Sequence, residues 1–259
     1  MEIRHFGLLG RHIGYSLSPL IFKKILAAEQ VPYTYQLFDV PVTDGHELNH
    51  FGRRRGLAGF NVTIPYKSEF RRFADMVGHE AVIHTGTANC ISYDPLREKY
   101  VAYNTDVFGF EWQLSRFFHV FPERALVLGA GATSRTVRYV LEKNKVQVTV
   151  VNRTPRPEEG VLPYEALDTE MMAGHLLVVN TTPLGGPQYP DLAPPIPYEA
   201  LSPAHVLIDV NYRPRVTGFM REGRRHRAYV MNGLPMLVAQ AWYSWLIWKA
   251  DLAKYGRLK

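Results

Sequence analysis

The stretch RALVLGAGATS (residues 124–134) joins a short apolar run to a glycine-rich turn. Its glycines follow the pattern Gly129-x-Gly131-x-x-Ser134, and the next segment, RTVRYVLEKN, has the apolar spacing of a helix. In such a turn the first glycine permits a tight bend, and the second lets the backbone approach a pyrophosphate at the helix N-terminus. Because the pattern lies between a predicted strand and a predicted helix, it predicts a dinucleotide-binding site.

The next predicted strand, VQVTVVN (146–152), indicates which dinucleotide the site favours. An NAD site usually carries an acid at the end of this strand, where it holds the ribose 2′-hydroxyl. Here the chain continues NRTPR, with Arg153 and Arg156 and no carboxylate before Glu158. A guanidinium suits a 2′-phosphate because it offers charge-assisted hydrogen bonds. The sequence therefore favours NADP over NAD, and surface arginines are the alternative interpretation.

Apolar runs typical of strands alternate with amphipathic segments along the whole chain, which predicts an α/β fold with a largely parallel sheet. The character of the sequence changes at NTDVFGF (104–110). We therefore expect two lobes, an N-terminal α/β substrate-binding catalytic domain over 1–105 and a Rossmann-like NADP-binding domain over 106–235. The C-terminal helix, 236–259, is expected to pack back on the first domain.

Some local features carry predictions of their own. Ser18 is expected to be the N-cap of a helix whose first residue is Pro19. Ile64 is expected to lie in a buried strand. In the last helix Trp242, Trp245 and Trp248 are expected in the core.

The composition limits the class of protein. The chain has 259 residues, 46% of them hydrophobic and 21% charged, as in ordinary globular proteins. It has no apolar run of about 18 residues and no signal-peptide core, so we expect a cytoplasmic protein that does not enter a membrane. The single cysteine, Cys90, excludes an internal disulfide and a cysteine-based metal cage.

The net charge of +6 raises the question of a nucleic-acid partner. Basic residues cluster only at GRRRG (52–56) and REGRRHR (221–227), and no nucleic-acid-binding motif surrounds either cluster. Solvated surfaces, or attraction of an anionic substrate or cofactor, account for the charge. We therefore expect no nucleic-acid partner.

Four loops of the first lobe place small polar or ionisable groups where a strand ends. Ligands of α/β sheets bind beyond the carboxyl ends of the strands, so these loops are candidates for one site. Each also has a plain interpretation, such as a helix cap, a turn or a surface lysine. The groups are Ser16 and Ser18 in GYSLSP, Thr63 and Lys67 in NVTIPYK, Asn89 in TANC, and Asp106 in YNTD.

A lysine and an aspartate that meet in such a site can carry out proton transfer. The carboxylate holds the ammonium in place, and burial or nearby positive charge brings the lysine toward proton exchange near neutral pH. No zinc-ligand spacing occurs in the sequence, so no metal is expected.

In combination these motifs resemble the shikimate dehydrogenase family, nearly from end to end. The stretches that carry the resemblance are SLSP, NVTIPYK, GTANC, NTD, GAGATS, NRT, NTTPLG, DVNY and NGLPMLVAQA, in the order of the family. The resemblance implies NADPH-dependent reduction of 3-dehydroshikimate to shikimate in aromatic amino-acid biosynthesis. One departure from the family pattern is Pro157, where a second arginine is common.

The resemblance also implies roles for individual residues. Lys67 would transfer the proton, and Asp106 would be its partner and contact a ring hydroxyl. Ser16, Ser18 and Tyr212 would receive the substrate carboxylate, and Thr63, Asn89 and Gln240 would hold hydroxyls or orient Lys67. The cofactor side would comprise Gly129, Ala130, Gly131, Ala132 and Thr133 at the pyrophosphate, Asn152, Arg153, Thr154 and Arg156 at the adenosine phosphate, Val210 and Gly233 at the nicotinamide, and Glu80 near the cofactor.

Two alternatives in function stay open at this point. One is an NAD-dependent quinate/shikimate dehydrogenase, and the other is a non-catalytic homologue that senses a ligand. The NRT stretch favours NADP, and the presence of both Lys67 and Asp106 favours an enzyme. Whether the protein is a monomer or a homodimer is also open.

Overall fold

The computed structural model of the protein describes residues 5–41, 48 and 50–255. Contacts divide the chain into two compact units, Met1–Gly109 with Leu237–Lys259, and Phe110–Met236. The predicted boundary before residue 106 lies at the start of a helix, Thr105–Ser115, and the division by contacts falls inside this helix, after Gly109. The end of the predicted last helix, 256–259, lies outside the described residues.

Strands and helices alternate along the chain, which confirms the predicted α/β fold. The strands are β1 (His5–Gly10), β2 (Thr34–Asp39), β3 (Leu57–Val62), β4 (Met76–Val77), β5 (Cys90–Asp94), β6 (Lys99–Tyr103), β7 (Arg124–Leu128), β8 (Gln147–Val151), β9 (Val161–Leu162), β10 (Leu177–Asn180), β11 (Val206–Asp209) and β12 (Tyr229–Asn232). The helices are α1 (Ser18–Ala28), α2 (Phe51–Arg55), α3 (Glu80–Thr85), α4 (Thr105–Ser115), α5 (Ala132–Lys143), α6 (Thr169–Gly174), α7 (Gly218–Arg225) and α8 (Leu234–Tyr255).

The sheet of the first unit is mixed. Its described strands have the order β2-β1-β3-β5-β6-β4. The pairs of β1 with β2 and β3 are parallel, whereas β5 runs antiparallel to both β3 and β6. The connection from Asp94 to Lys99 is too short for a crossover, so it can only join antiparallel neighbours. The prediction of a largely parallel sheet therefore does not hold for this unit.

The last helix, α8, packs its indole rings on this sheet. Trp248 stacks on Phe6 with ring centroids 4.7 Å apart, and its Nε1 atom donates a hydrogen bond to the carbonyl oxygen of Ile91 at 2.9 Å. The close approach needs Gly59 in β3, since a Cβ there would lie 2.3 Å from the indole nitrogen. Aromatic burial of this kind is a large part of what holds a terminal helix in place.

Trp245 and Trp248 are buried as predicted, but Trp242 is 40% exposed, so its predicted core position is wrong. A helix has 3.6 residues per turn, so side chains three positions apart rotate by about 60° at each step. Three such residues cover too wide an arc for all of them to face the core.

Two local predictions are also wrong. α1 begins at Ser18 itself, with Leu17 as an N-cap that has no side-chain hydrogen bond. Ile64 is 60% exposed because β3 ends at Val62 and the chain turns there. The backbone amide of Tyr66 donates to the carbonyl of Thr63 at 2.8 Å, which starts the 3-10 helix Tyr66–Arg72.

In the second unit the described strands form a wholly parallel sheet with the order β12-β11-β10-β7-β8-β9. The apolar strand residues are buried against the flanking helices, as expected for a sheet covered on both faces. The strand order reverses between β7 and β10, and the loops after the strands open at one edge. In doubly wound folds this edge is where ligands bind.

A helix that crosses a membrane must be both long and apolar. No helix among the described residues is both long enough and apolar enough to cross a lipid bilayer.

Candidate active site

A lysine and an aspartate form a close ion pair in the first unit. Lys67 lies in the 3-10 helix after β3, and Asp106 lies in the first turn of α4. The Nζ atom of Lys67 donates to Oδ2 of Asp106 at 2.6 Å, and the two side chains are only 14% and 9% exposed. Because both side chains are largely buried, water and salt weaken their attraction less than they weaken a surface salt bridge.

Asn89 fixes the other oxygen of this aspartate. Its Nδ2 atom donates to Oδ1 of Asp106 at 2.9 Å and to Oε1 of Gln240 at 3.1 Å. Its Oδ1 atom accepts from the backbone amide of Thr105 at 2.6 Å and from the Thr105 hydroxyl at 3.1 Å. Because both the Nδ2 and the Oδ1 atom of Asn89 are hydrogen-bonded, its side-chain amide is fixed in one orientation. The carboxylate of Asp106 is thereby held between an ammonium and an amide.

The helix α8 supports the pair from a distant part of the sequence. Gln240 donates through Nε2 to the carbonyl oxygen of Leu237 at 2.9 Å, which directs its Oε1 atom toward Asn89. Ser244 lies one turn later, and its hydroxyl is 3.0 Å from the hydroxyl of Thr105. Thr105 and Ser244 were not among the predicted site residues. The signals for them are the position of Thr105 inside NTD and the four-residue spacing from Gln240 to Ser244.

Asn61, which opens NVTIPYK, is part of the framework around this cluster. It is buried, it accepts a hydrogen bond from the hydroxyl of Tyr35 at 2.9 Å, and its Nδ2 atom donates to the carbonyl of Asn89 at 3.1 Å and to Ser244 at 3.0 Å. All of its amide atoms are thus used within the protein. We interpret Asn61 as a residue that fixes the strand end from which Lys67 emerges.

The other predicted substrate-binding residues lie just beyond strand ends. Ser16 and Ser18, predicted to bind the carboxylate, follow β1, and Thr63, predicted to hold a hydroxyl or orient Lys67, follows β3, its parallel neighbour. Ser16 accepts at Oγ from the backbone amide of Ser18 at 3.2 Å. In the part of the chain that the structure describes, none of these three residues is hydrogen-bonded to Lys67 or Asp106. Tyr212, the third residue predicted to bind the carboxylate, is half-buried in the second unit, between β11 and α7.

Cys90 follows Asn89 directly and is fully buried. Burial raises the pKa of its thiol to about 12. The thiol therefore stays protonated at neutral pH and is a poor nucleophile.

The glycine turn after β7 has the features of an anion cradle. Gly129 has a φ of +105°, a conformation that favours glycine, and its amide donates to the carbonyl of Val151 at 2.7 Å. Gly131 is the N-cap of α5 and makes no side-chain cap. A Cβ on Gly131 would meet no heavy atom within 4 Å, so the space before the helix N-terminus is open. Backbone amides that face open space at a helix start fit the pyrophosphate of a dinucleotide.

The loop after β8 carries the predicted adenosine-phosphate residues. The Nδ2 atom of Asn152 donates to the carbonyl of Thr154 at 3.0 Å, which folds the loop back on itself. Arg153 is exposed, and Arg156 forms an ion pair with Glu159, with 3.3 Å between Nη1 and Oε2. Because β7 and β8 are parallel neighbours, this loop and the glycine turn open at the same edge of the sheet.

The predicted nicotinamide residues, Val210 and Gly233, are in contact. A Cβ on Gly233 would lie 2.1 Å from the carbonyl oxygen of Val210, so only glycine fits there. Glu80, the remaining predicted cofactor residue, is the exposed first residue of α3 in the first unit. Its role near the cofactor stays a prediction.

Asp209, which was not among the predicted site residues, organises the loops around Val210. It is fully buried, and its Oδ1 atom accepts from Nδ2 of Asn180 at 3.1 Å, and from the backbone amide and Nδ2 of Asn211 at 3.0 and 2.9 Å. Its Oδ2 atom accepts from the hydroxyl of Thr217 at 2.6 Å. Burial raises the pKa of Asp209 to about 6, against the effect of these hydrogen bonds. The signal in the sequence was an acid inside the buried run VLIDV.

Comparison with known proteins shows similarity over nearly the whole chain. A family model described as the shikimate dehydrogenase substrate binding domain matches residues 8–91. A shikimate dehydrogenase (NADP(+)) of Ignicoccus hospitalis is 34% identical over 251 residues, covering 94% of this chain and 92% of that protein. One of Staphylococcus aureus is 31% identical over 264 residues, covering 98% and 96%.

A solved structure gives the same result for the fold. The shikimate 5-dehydrogenase of Thermus thermophilus, in complex with NADP(H) and shikimate, is 28% identical and has a TM-score of 0.81. The match covers 96% of this chain and 94% of that one. The fold of this chain is therefore similar to that of an enzyme whose structure was solved with NADP(H) and shikimate.

Proposed function

The chain belongs to the shikimate dehydrogenase family, and we propose from this premise that it catalyses the reversible, NADPH-dependent reduction of 3-dehydroshikimate to shikimate. In this role it serves the shikimate pathway to aromatic amino acids, as a cytoplasmic enzyme that is a monomer or a homodimer. Its partners are the small-molecule substrate and the cofactor, without a nucleic acid.

The observation that carries the proposal is the shielded ion pair of Lys67 and Asp106, with Nζ 2.6 Å from Oδ2. When bound, NADPH supplies the hydride that reduces the ketone carbon of the substrate. The ammonium of Lys67 donates a proton from Nζ to the oxygen of that carbonyl as negative charge develops there. Asp106 holds the ammonium in position, and in the reverse direction neutral Lys67 accepts the proton from the hydroxyl.

The remaining predicted residues bind and orient the ligands. Ser16, Ser18 and Tyr212 receive the substrate carboxylate through their hydroxyls, since hydrogen bonds to a charged acceptor are strong. Thr63, Asn89 and Gln240 hold ring hydroxyls and keep Lys67 oriented. Asn89 serves this role through Asp106, because it donates to the carboxylate that binds the ammonium.

The second unit holds the cofactor. The amides of Gly129 to Thr133 bind the pyrophosphate, and the open space at Gly131 supports this role. Asn152, Arg153, Thr154 and Arg156 bind the adenosine 2′-phosphate. Val210 and Gly233 line the nicotinamide. Glu80 is included among the cofactor residues on the resemblance to the family alone.

A matrix of cofactors and substrates tests the proposal. The purified protein is assayed with NADP⁺ and NAD⁺, each combined with shikimate and quinate, by the absorbance of the reduced nicotinamide. We expect the highest kcat/KM for NADP⁺ with shikimate. A higher kcat/KM for NAD⁺ with quinate would show instead that the protein is an NAD-dependent quinate/shikimate dehydrogenase. Absence of turnover in all four combinations, with shikimate still bound, would indicate a ligand sensor.

A further inference from the structure

The adenosine-phosphate loop closes into a small, fixed turn. The backbone amide of Arg156 donates to the carbonyl of Val161, and the amide of Val161 donates back, both at 3.0 Å. Between them lie the 3-10 helix Pro157–Glu159 and Gly160, whose φ of +69° completes the turn. The turn therefore brings the side chain of Glu159 back beside that of Arg156.

Glu159 is an acidic group among guanidinium groups. Its Oε2 atom lies 3.3 Å from Nη1 of Arg156, and its backbone carbonyl accepts from Nη1 of Arg138 at 3.4 Å. Arg135, in the first turn of α5, faces the same loop. Burial lowers the pKa of Arg135, the charge of Glu159 opposes that shift, and the charge of Arg156 adds to it. Glu159 thus neutralises part of the positive charge at this point.

This turn lies where the cofactor phosphate is expected. Leu128 pairs with Val151 at the ends of β7 and β8, and the amide of Gly129 donates to Val151. The glycine turn and the loop that carries Arg156 therefore leave neighbouring strands at the same level. A dinucleotide with its pyrophosphate at the glycine turn would direct its adenosine ribose toward that loop.

We propose that Glu159 competes with the 2′-phosphate of the cofactor for Arg156, and so sets how strongly the protein prefers NADP to NAD. The inference rests on the proposed function, since it concerns the same cofactor site. In the protein without cofactor the guanidinium of Arg156 pairs with Glu159. Binding of the 2′-phosphate exchanges this partner for a more highly charged one and places the phosphate near a carboxylate.

The size of the effect follows from exposure. The side chains of Arg156 and Glu159 are 40% and 54% exposed, so water and salt screen their interaction. Replacing Glu159 by glutamine should therefore tighten NADP⁺ binding by about two- to fivefold, the range of an exposed ion pair. NAD⁺ has no 2′-phosphate, so its dissociation constant should change by less than about twofold, within the same range for a lost exposed contact.

Isothermal titration of the full chain with NADP⁺ and NAD⁺ tests the proposal without an activity readout. The variants are Glu159→Gln, Arg156→Ala and the double variant, each at low and at high salt. We expect the gain in NADP⁺ affinity from Glu159→Gln to shrink at high salt and to vanish in the Arg156→Ala background. Glu222→Gln is the matched control, because Glu222 also pairs with an arginine three residues away, Arg225, on a helix, α7, that carries none of the predicted cofactor residues.

The outcomes separate the inference from the proposed function. Unchanged or weaker NADP⁺ binding by Glu159→Gln, in a protein that still prefers NADP⁺, would overturn the inference and leave the function intact. An equal gain in the Arg156→Ala background would also overturn it, since the competition would not involve Arg156. If the unmodified chain bound neither dinucleotide, both the inference and the proposed function would be wrong.

Discussion

Lys67 and Asp106 lie 39 residues apart in sequence and 2.6 Å apart in space. Lys67 comes from the turn after a strand, and Asp106 from the first turn of a helix, where a carboxylate also interacts favourably with the helix dipole. Neither side chain, taken alone, indicates a catalytic role. The contact gives the lysine a fixed direction and a partner, which is what a proton-transfer residue needs.

Replacement of Lys67 by alanine should reduce turnover with little loss of shikimate binding. The substrate would lose its proton donor but keep its carboxylate and hydroxyl contacts, so we expect kcat to fall by about 10²- to 10⁴-fold. Steady-state assays with NADP⁺ and calorimetric titration of shikimate give the two quantities. Lys24→Ala, on the exposed face of α1, serves as the control. Near-normal turnover of Lys67→Ala with normal binding would show that another group moves the proton.

Replacement of Asn89 by alanine should affect both folding and turnover. The buried amide of Thr105 would lose its acceptor, and Asp106 would lose a donor. We expect the free energy of unfolding to fall by about 2–3 kcal/mol, measured by urea denaturation. Asn144→Ala is the control, because its Nδ2 atom makes a single hydrogen bond, to Val140 at 2.8 Å, at the end of α5.

The control should lose about 1 kcal/mol, the value of one hydrogen bond. At a temperature where both variants are folded, Asn89→Ala should have reduced turnover and Asn144→Ala should not. Equal activity of the two variants would contradict the role of Asn89 in holding the carboxylate.

The second unit was the more predictable part of the fold. Its strands are continuous apolar runs such as RALVL and VLID, and GAGATS marks the first crossover, so local patterns and topology agree. The first unit was less predictable because two of its strands, β5 and β6, form an antiparallel hairpin whose sequence pattern resembles that of the parallel strands. Ile64 shows where the apolar pattern fails as a predictor. This residue lies two positions after the end of β3, and the alternation of apolar and polar residues does not show that the strand has already ended.

The structure joins Lys67, Asn89, Asp106 and Gln240 of the predicted residues, but their hydrogen-bond network was not predictable from the sequence. Loops beyond strand ends pointed to Lys67, Asn89 and Asp106. The orientation of Asn89 depends on a helix about 150 residues later, which local sequence does not encode. Asp209 was missed for a different reason. A single acid in a buried strand carries no information about its partners until the loops that bring Asn211 and Thr217 to it are folded.

Replacement of Gly131 by alanine should weaken NADPH binding while leaving the fold nearly unchanged. Its φ and ψ of −86° and −171° suit alanine, and the new Cβ would touch no other atom of the protein. Alanine lowers the entropy of the unfolded chain, which stabilises the fold, but it is a poorer N-cap than glycine, which destabilises it. The free energy of unfolding should therefore change by less than about 1 kcal/mol.

The new methyl group would, however, occupy the space through which a pyrophosphate approaches the backbone. We expect the dissociation constant of NADPH to rise by about tenfold or more, measured by calorimetry. Gly129→Ala is the contrasting variant. With a φ of +105° and a Cβ 2.8 Å from Oγ1 of Thr181, it should destabilise the fold by about 1–3 kcal/mol. Undiminished binding by a well-folded Gly131→Ala would place the cofactor elsewhere.

The stability of the protein should depend on pH through Asp209. The pKa of this carboxyl is about 6 in the folded protein, against an ordinary value of 3.8, because it is buried. Between these values the folded protein holds a proton that the unfolded chain has released. The contribution of Asp209 to stability is therefore complete below pH 3.8 and is lost as the pH rises through 6.

The variant Asp209→Asn isolates this contribution, because asparagine has nearly the same shape and does not titrate. The difference in free energy of unfolding, unmodified protein minus variant, should fall by about 2 kcal/mol as the pH rises from about 4 to 7. Thr217→Val removes a hydrogen bond that favours the carboxylate, so the fall should extend to higher pH, whereas Thr217→Ser should leave its range unchanged. Urea denaturation across this pH range measures all four proteins. A difference that stays constant with pH would mean that Asp209 titrates alike in the folded and unfolded chain, and that its four hydrogen bonds fully offset its burial.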